Sequence, residues 1–316
     1  MLDFMDFKTA LTTGCRSMLD TIPADSGFNG VRIEERTVAK AQRGELSGLI
    51  FRMPETVCAP TFYVEDFYDL YKAGSPLEEL SVTLVHDALH YLRTPPVFPE
   101  IDADVFKGQA GFGTRLINKA VNRDYLKNIP YLEECGLALI AELRSGEYRA
   151  VITNELLDSL GMTADELLEK AIRESAVSEP ATLYDLSEMF RGSTDGCENL
   201  LNNRSKAVLP SDSLYVLSNE SCYWGASALF YPGMLEKLDA LMGGAFYVLP
   251  SSVHEVLLLP ASEGDPQRLA DIIGAANQTV TGSDVFLSND LFACEAGKLR
   301  QVSFGGVVPE PGVLPC

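Results

Sequence analysis

The sequence predicts an α+β protein: mixed sheets flanked by helices, with a helix-rich N-terminal part and a C-terminal part ordered strand-helix-strand-strand-helix. Three observations predict it. Apolar residues recur at helical spacing over 2–19 and again from Leu77 to Tyr91. Short apolar runs face each other across polar turns, around Gly44 and around Arg144-Ser145-Gly146-Glu147, as hairpin strands do. From Leu214 onward the order is strand, helix, strand, strand, helix, which indicates α+β.

Phe4, Phe7, Leu11 and Met18 line one side of an opening helix, and the turn chemistry of Gly27 to Gly30 ends it. Val31 to Val38 and Leu46 to Met53 form a hairpin. Thr61-Phe62-Tyr63-Val64-Glu65-Asp66-Phe67-Tyr68 leads into a helix that breaks at Gly74-Ser75-Pro76, and Pro76 suits the first turn of the next. Three prolines in Thr94-Pro95-Pro96-Val97-Phe98-Pro99 can neither continue a helix nor join a ladder, so a domain boundary is placed there. A helix is expected over 114–127. Leu137 to Leu143 and Tyr148 to Thr153 make a second hairpin, and Thr163 with Glu166 makes a capping box for a helix through Ile172. Residues 174–212 read as loop with a short helix near Leu183 to Phe190. After these come strand Leu214 to Leu217, a helix to Leu241, strands Phe246 to Leu249 and Val253 to Leu259, and a helix opening at Asp265-Pro266. The domain reading is therefore 1–95, a helical connector 96–130, an α+β region 131–305 and a flexible tail 306–316. Within the third, 131–175 and 212–290 share an Asn corner after a strand, Thr153-Asn154-Glu155 and Ser218-Asn219-Glu220, which hints at two similar subunits.

Composition narrows the function. The chain has 316 residues, 46% of them hydrophobic, so it can bury a sizeable core. Lys and Arg number 25 against 45 Asp and Glu, a net charge of −20 with no basic run, which disfavours nucleic-acid binding. A solvated acidic surface is the simple reading; a surface imitating DNA would instead line one face with carboxylates at roughly phosphate spacing. Seven widely spaced cysteines, an odd number without a CxxC pair, fit free thiols in the cytoplasm rather than a disulfide framework or a zinc module. No apolar run is long enough to span a membrane, and the first residues lack a signal-peptide core.

Several segments together resemble a known family. They are Thr61 to Tyr68, Leu116-Ile117-Asn118, Val151-Ile152-Thr153-Asn154, Leu214 to Asn219 with Gly225-Ala226 and Tyr231-Pro232, and Tyr247 to Glu255. In order and spacing these are similar to the bacterial domain of unknown function 5688 family over roughly 30–290. The C-terminal half is more distantly similar to the domain of unknown function 1444 family. The resemblance implies no activity, cofactor or catalytic residue, and only an accessory role in bacteria or their mobile elements. It also leads one to expect His after Ile129-Pro130 and Trp before Gly161, where this chain has Tyr131 and Leu160.

The candidate chemistry is sparse. His86-Asp87-Ala88-Leu89-His90 imitates a helical HExxH metal motif, but His86 and His90 fall opposite the Leu77, Leu80, Leu84, Ala88, Tyr91 stripe, and Asp is short for the role of Glu. Ser251-Ser252-Val253-His254-Glu255 lies at the mouth of a strand apolar on both faces. It could line a pocket, or supply a hydrolase with a serine and His254, although no nucleophile elbow is present. Structural hydrogen bonding in a turn accounts for the same residues. Gly108 to Arg115 echoes a phosphate loop but has Thr114 where Lys belongs, and a flexible start to a helix explains its glycines. Tyr63 and Tyr68 belong either to a packed face or to a partner groove. The leading expectation is a non-enzymatic protein without metal or cofactor that binds a protein partner, with Asn154, Asn219 and His254 near one edge. The alternatives are a hydrolase using His254 with Ser251 or Ser252, a metal at His86 and His90, and a DNA-mimicking inhibitor.

Overall fold

In the computed structural model, residues 1–23, 25–54, 59–94, 111–145, 148–191, 198–202, 208–279 and 284–303 are described. The chain forms two compact units, Met1–Ile101 and Asp102–Cys316. Outside the described residues lie the proline connector beyond Thr94, Gly108 to Ala110, the turn Gly146-Glu147, the tail over 306–316, and Cys58, Cys197 and Cys316.

In the first unit, α1 (Phe4–Asp20) is capped by Asp3 and precedes the hairpin β1 (Arg32–Lys40) and β2 (Gly44–Arg52), with β3 (Thr61–Tyr63) pairing antiparallel to β2. Two helices follow, α2 (Val64–Lys72) and α3 (Leu77–Arg93). Phe7, Leu11 and Cys15 of α1 pack with Leu49 and Phe51 of β2 and with Leu80, Leu84 and Ala88 of α3. Each buried Leu or Phe among them contributes about 1.5–3 kcal/mol of apolar transfer. Gly14 lets the helices close: a Cβ there would meet Ser81 Oγ at 2.8 Å.

The second unit holds two antiparallel sheets. In one, β6 (Leu137–Ser145) has β4 (Gly111–Asn118) along one edge and β5 (Tyr131–Glu134) then β7 (Tyr148–Val151) along the other. Helices α4 (Asn154–Leu160) and α5 (Ala164–Ser178) follow, the latter opened by the expected capping box. The other sheet takes the order β13-β12-β10-β11-β9-β8. Its strands are β8 (Ala181–Asp185), β9 (Tyr215–Asn219), β10 (Phe246–Pro250), β11 (Val256–Pro260), β12 (Phe292–Glu295) and β13 (Lys298–Gln301). Between them run α6 (Leu186–Arg191), α7 (Met234–Met242) and α8 (Pro266–Thr279). Leu116, Leu137 and Leu139 from one sheet share a core with Leu217, Phe246, Leu258 and Phe292 from the other. The opposite face of β10 and β11 is covered through Leu249, Leu257 and Leu259 by Ile273 and Leu269 of α8. β11 is thus central and apolar on both faces, as its sequence requires.

The fold is α+β, and four local expectations are corrected. Residues 114–127 do not begin a helix: β4 occupies 111–118 and only a 3-10 turn, Tyr125–Asn128, follows. The strand is buried on both faces, so it shows no alternation, and the unpaired edge of β6 claims it. Over 174–212 the helix continues to Ser178, and β8 then pairs with β9 as an edge strand. The helix expected up to Leu241 is a 3-10 turn, Gly225–Phe230, and then α7, split by Pro232-Gly233. The strand expected from Val253 starts at Val256, because Ser252 N donates to Glu255 O at 3.1 Å and closes a turn.

Candidate functional site

β6 runs through apolar positions, yet it carries Glu142 fully buried. A lone carboxylate in that place would be strongly disfavoured, and three guanidinium groups answer it. Alternation puts Arg144 on the same sheet face. Arg149 of β7 stands opposite Arg144, and Arg115 of β4 stands opposite Ile140, two residues from Glu142. Arg144 Nε and Arg149 Nη1 donate to Glu142 Oε1 at 2.8 and 2.9 Å, and Arg115 Nε donates to Oε2. Burial by itself would raise the Glu142 carboxyl, but the charges of Arg115 and Arg144 and the hydrogen bonds outweigh it and hold it below its ordinary value. Gly113 makes the arrangement possible, since a Cβ there would lie 1.8 Å from Arg144 Nε.

Glu179, just past α5, closes the network. Arg149 Nη2 donates to its Oε1 at 2.9 Å, while Arg144 Nη1 lies 2.8 Å from Oε2, near enough to attract but misaligned for a hydrogen bond. Arg144 and Arg149 would repel across the strands; sharing both carboxylates removes the conflict. Glu179 Oε2 also accepts from Asn219 Nδ2 at 3.1 Å, tying the two sheets of the unit together.

Asn219 then shapes the loop behind β9. It is 1% exposed, its Nδ2 donates to Tyr223 O at 2.9 Å, and its Oδ1 accepts from Tyr223 N at 3.2 Å and Ser221 Oγ at 3.1 Å. These bonds hold Cys222 and Trp224 at φ of 52° and 56°, the left-handed region that costs a residue with a side chain about 1–3 kcal/mol. The result is a shelf of rings. The centroids of Tyr223, Trp224 and His254 lie 5.2 to 5.4 Å from one another. Arg115 sits 4.4 Å over the Trp224 ring and Arg149 5.6 Å over Tyr223, so the cations that neutralise Glu142 also carry the aromatics. Tyr223 is 44% exposed.

His254 is pinned from several sides. Its Nδ1 accepts from Trp224 N–H at 3.1 Å, its own N–H donates to Ser252 Oγ at 3.0 Å, and its carbonyl accepts from Ser218 Oγ at 2.8 Å. An imidazole that accepts at Nδ1 carries its proton on Nε2. Ser251 Oγ donates to Glu255 Oε1 at 3.3 Å. Among the described residues, no bond joins either serine hydroxyl to the imidazole.

Burial lowers the His254 pKa below its ordinary 6.5, and the charge of Glu255 offsets this only in part. The unfolded chain therefore takes up the proton first. Stability from this group is whole above pH 6.5 and is lost as pH falls through the lowered value. Trp224 is the chain's one tryptophan, so its fluorescence reports the event. We expect an emission change with a midpoint below 6.5 that is absent in His254→Asn, whose amide oxygen still accepts but does not titrate. A midpoint above 6.5 would contradict the geometry.

The other sequence-derived candidates lie elsewhere. Asn154 is exposed at the start of α4, where Thr153 Oγ1 accepts from Leu156 N at 3.2 Å; none of the bonds that join Asn219 to His254 reaches it. In the first unit, Tyr68 packs at 5.4 and 5.2 Å on Phe4 and Phe7, whereas Tyr63 lies under Lys40 at 4.6 Å and Arg43 at 5.8 Å. His86 and His90 face solvent from α3, the His86 side chain being 78% exposed. Among the described residues, no group of three or more His, Cys, Asp or Glu side chains is placed to hold a metal. Burial chiefly pushes the thiols of Cys15, Cys135 and Cys294 up to about 11, so thiolate is scarce there near neutrality. Two surface hollows, one lined by Phe112, Arg173 and Glu174 and the other by Asp185, Phe190 and Asp212, contain none of the candidates.

The sequence reading missed Arg115, Glu142, Arg144, Arg149, Glu179, Tyr223 and Trp224. One signal was present: a lone acid inside the run Leu137 to Leu143, with an arginine two places on. Compared with known proteins, the chain matches over residues 4–294 a family model described as a family of unknown function (DUF5688). No curated protein and no solved structure gives a significant match.

Proposed function

Since the chain belongs to DUF5688, a family whose function is unknown, we propose from its site that it is a non-enzymatic cytoplasmic protein that binds another macromolecule through the Tyr223, Trp224 and His254 shelf. One observation carries this reading. Tyr223, 44% exposed, rests on a base fixed by Arg149, Trp224 and His254. Tyrosine, tryptophan and arginine dominate the energetics of protein interfaces, and a base that is rigid before contact reduces the ordering cost of association. Ser251 Oγ, Ser252 Oγ and His254 Nδ1 all take part in the bonds of the turn below the shelf, and among the described residues neither hydroxyl bonds the imidazole.

The test is capture from the native cell with tagged wild-type chain and with Tyr223→Ala. We expect a stoichiometric partner whose recovery falls at least about tenfold in the variant, as for loss of a 1.4 kcal/mol anchor. Equal recovery by both would remove the shelf from the interface, and turnover of an ester, peptide or phosphate lost in His254→Asn would replace binding by catalysis.

A further inference from the structure

The shelf is built from donors. Around it, three arginines, Arg115, Arg144 and Arg149, meet two carboxylates, Glu142 and Glu179, which leaves one surplus positive charge in a chain of net charge −20. The surplus is localised. Arg144 and Arg149 each reach both carboxylates, whereas Arg115 spends only Nε–H, on Glu142. Among the described residues its two Nη groups make no hydrogen bond, and they are not sealed from solvent. Its guanidinium carbon lies 4.4 Å from the centre of the Trp224 ring, a cation–π contact that keeps the group at the shelf.

A second donor packs against the same indole, the His254 ring lying 5.4 Å from that of Trp224. Because His254 Nδ1 accepts from Trp224 N–H, the ring proton is on Nε2, which among the described residues also lacks a partner and is not sealed. The buried Trp224 Nε1–H is unpartnered among the described residues as well. Glu255, whose charge bears on His254, is held by Ser251 Oγ. Unspent donors of this kind, one of them a charged planar fork beside exposed aromatic surface, match one ligand chemistry. That chemistry is a planar anion carried on an apolar or aromatic body.

We propose that the shelf receives a carboxylate, from an acidic side chain or a chain terminus of the partner. The carboxylate takes the Arg115 Nη edge with His254 Nε2–H as second donor, and its body lies against Tyr223. This deepens the binding reading above and rests on it. The probe is benzoate, followed on the single indole N–H signal of the ¹⁵N-labelled full chain. We expect a saturable shift with Kd on the order of 1 mM. Arg115→Lys, which keeps a cation beside Glu142 but loses the fork, should weaken it about tenfold. Neutral benzamide, run on the wild type so that the result does not depend on any variant folding, should leave the signal in place.

Benzamide binding as well as benzoate, inorganic phosphate binding while benzoate does not, or no saturation by about 50 mM would each overturn the proposal. A partner that is captured through Tyr223 while benzoate fails would show that the shelf binds by other chemistry. Capture that is indifferent to Tyr223 would instead remove the shelf itself from the interface.

Discussion

Replacing Glu142 by alanine is expected to destabilise the Asp102–Cys316 unit by about 3–5 kcal/mol, lowering its melting temperature on the order of 10 °C. The reason is not the loss of a favourable bond but the exposure of a conflict. With the carboxylate gone, Arg115, Arg144 and Arg149 remain in a site where Glu142 was 0% exposed, and Arg144 and Arg149 still face each other across paired strands. Among the described residues only Glu179 is left to pair with Arg144 and Arg149. A control separates the two explanations. Exchanging Glu142, Arg144 and Arg149 together for apolar residues of similar size should cost much less than Glu142→Ala, since a satisfied buried ion cluster adds little net stability over packed side chains. Thermal and urea unfolding followed by circular dichroism read both variants. If Glu142→Ala melts within a degree or two of wild type, the network is not organised as described. The acid limb has the same origin: with its carboxyl held below 4.5, Glu142 stabilises the fold above that pH and ceases to as pH falls through the lowered value.

Gly225→Ala is expected to be the next most damaging single change, at about 1–3 kcal/mol. A Cβ there would sit 2.2 Å from Ser218 Oγ, 2.6 Å from His254 O and 2.7 Å from Asn219 N. The hydroxyl could rotate away, but the other two atoms are backbone of the strand end and the turn that frame the shelf. The chain must therefore shift, and the shift passes directly to Trp224, the adjacent residue. Besides the lower melting temperature, the indole N–H signal should move and Trp224 emission should change. A variant that melts like wild type with an unmoved indole signal would show that the β9 end and the His254 turn are not in close approach.

These two changes also mark what the sequence did and did not disclose. The helices α1, α3 and α5 were legible because each buries one side only, so its period survives in the residue pattern. The hairpins at Gly44 and around 146 were legible because turn chemistry sits between matched runs. β4 was misread because burial on both faces erases alternation, and β5, β8, β12 and β13 are too short to show a period. Asn219 and His254, expected near one edge, are linked through Tyr223 and Trp224, with Asn219 a buried support of the loop, while the bonds of that link do not include Asn154. The ion network was not legible, because its members come from β4, β6, β7 and the end of α5, and only pairing register brings them together.

The shared core of the two sheets has a consequence for the order of events at the ribosome. Its walls come from both ends of the second unit: Leu116, Leu137 and Leu139 early in the chain, Phe292, Cys294 and Leu299 late. Asn118 Nδ2 spans the same interval to reach Leu287 O at 2.9 Å. The Met1–Ile101 unit has every residue of its own core in hand once α3 has emerged, whereas Leu116, Leu137 and Leu139 stay incompletely covered until some 150 further residues have been made. Synthesis thus leaves part of the second unit's apolar surface open to aggregation for longer than that of the unit that precedes it.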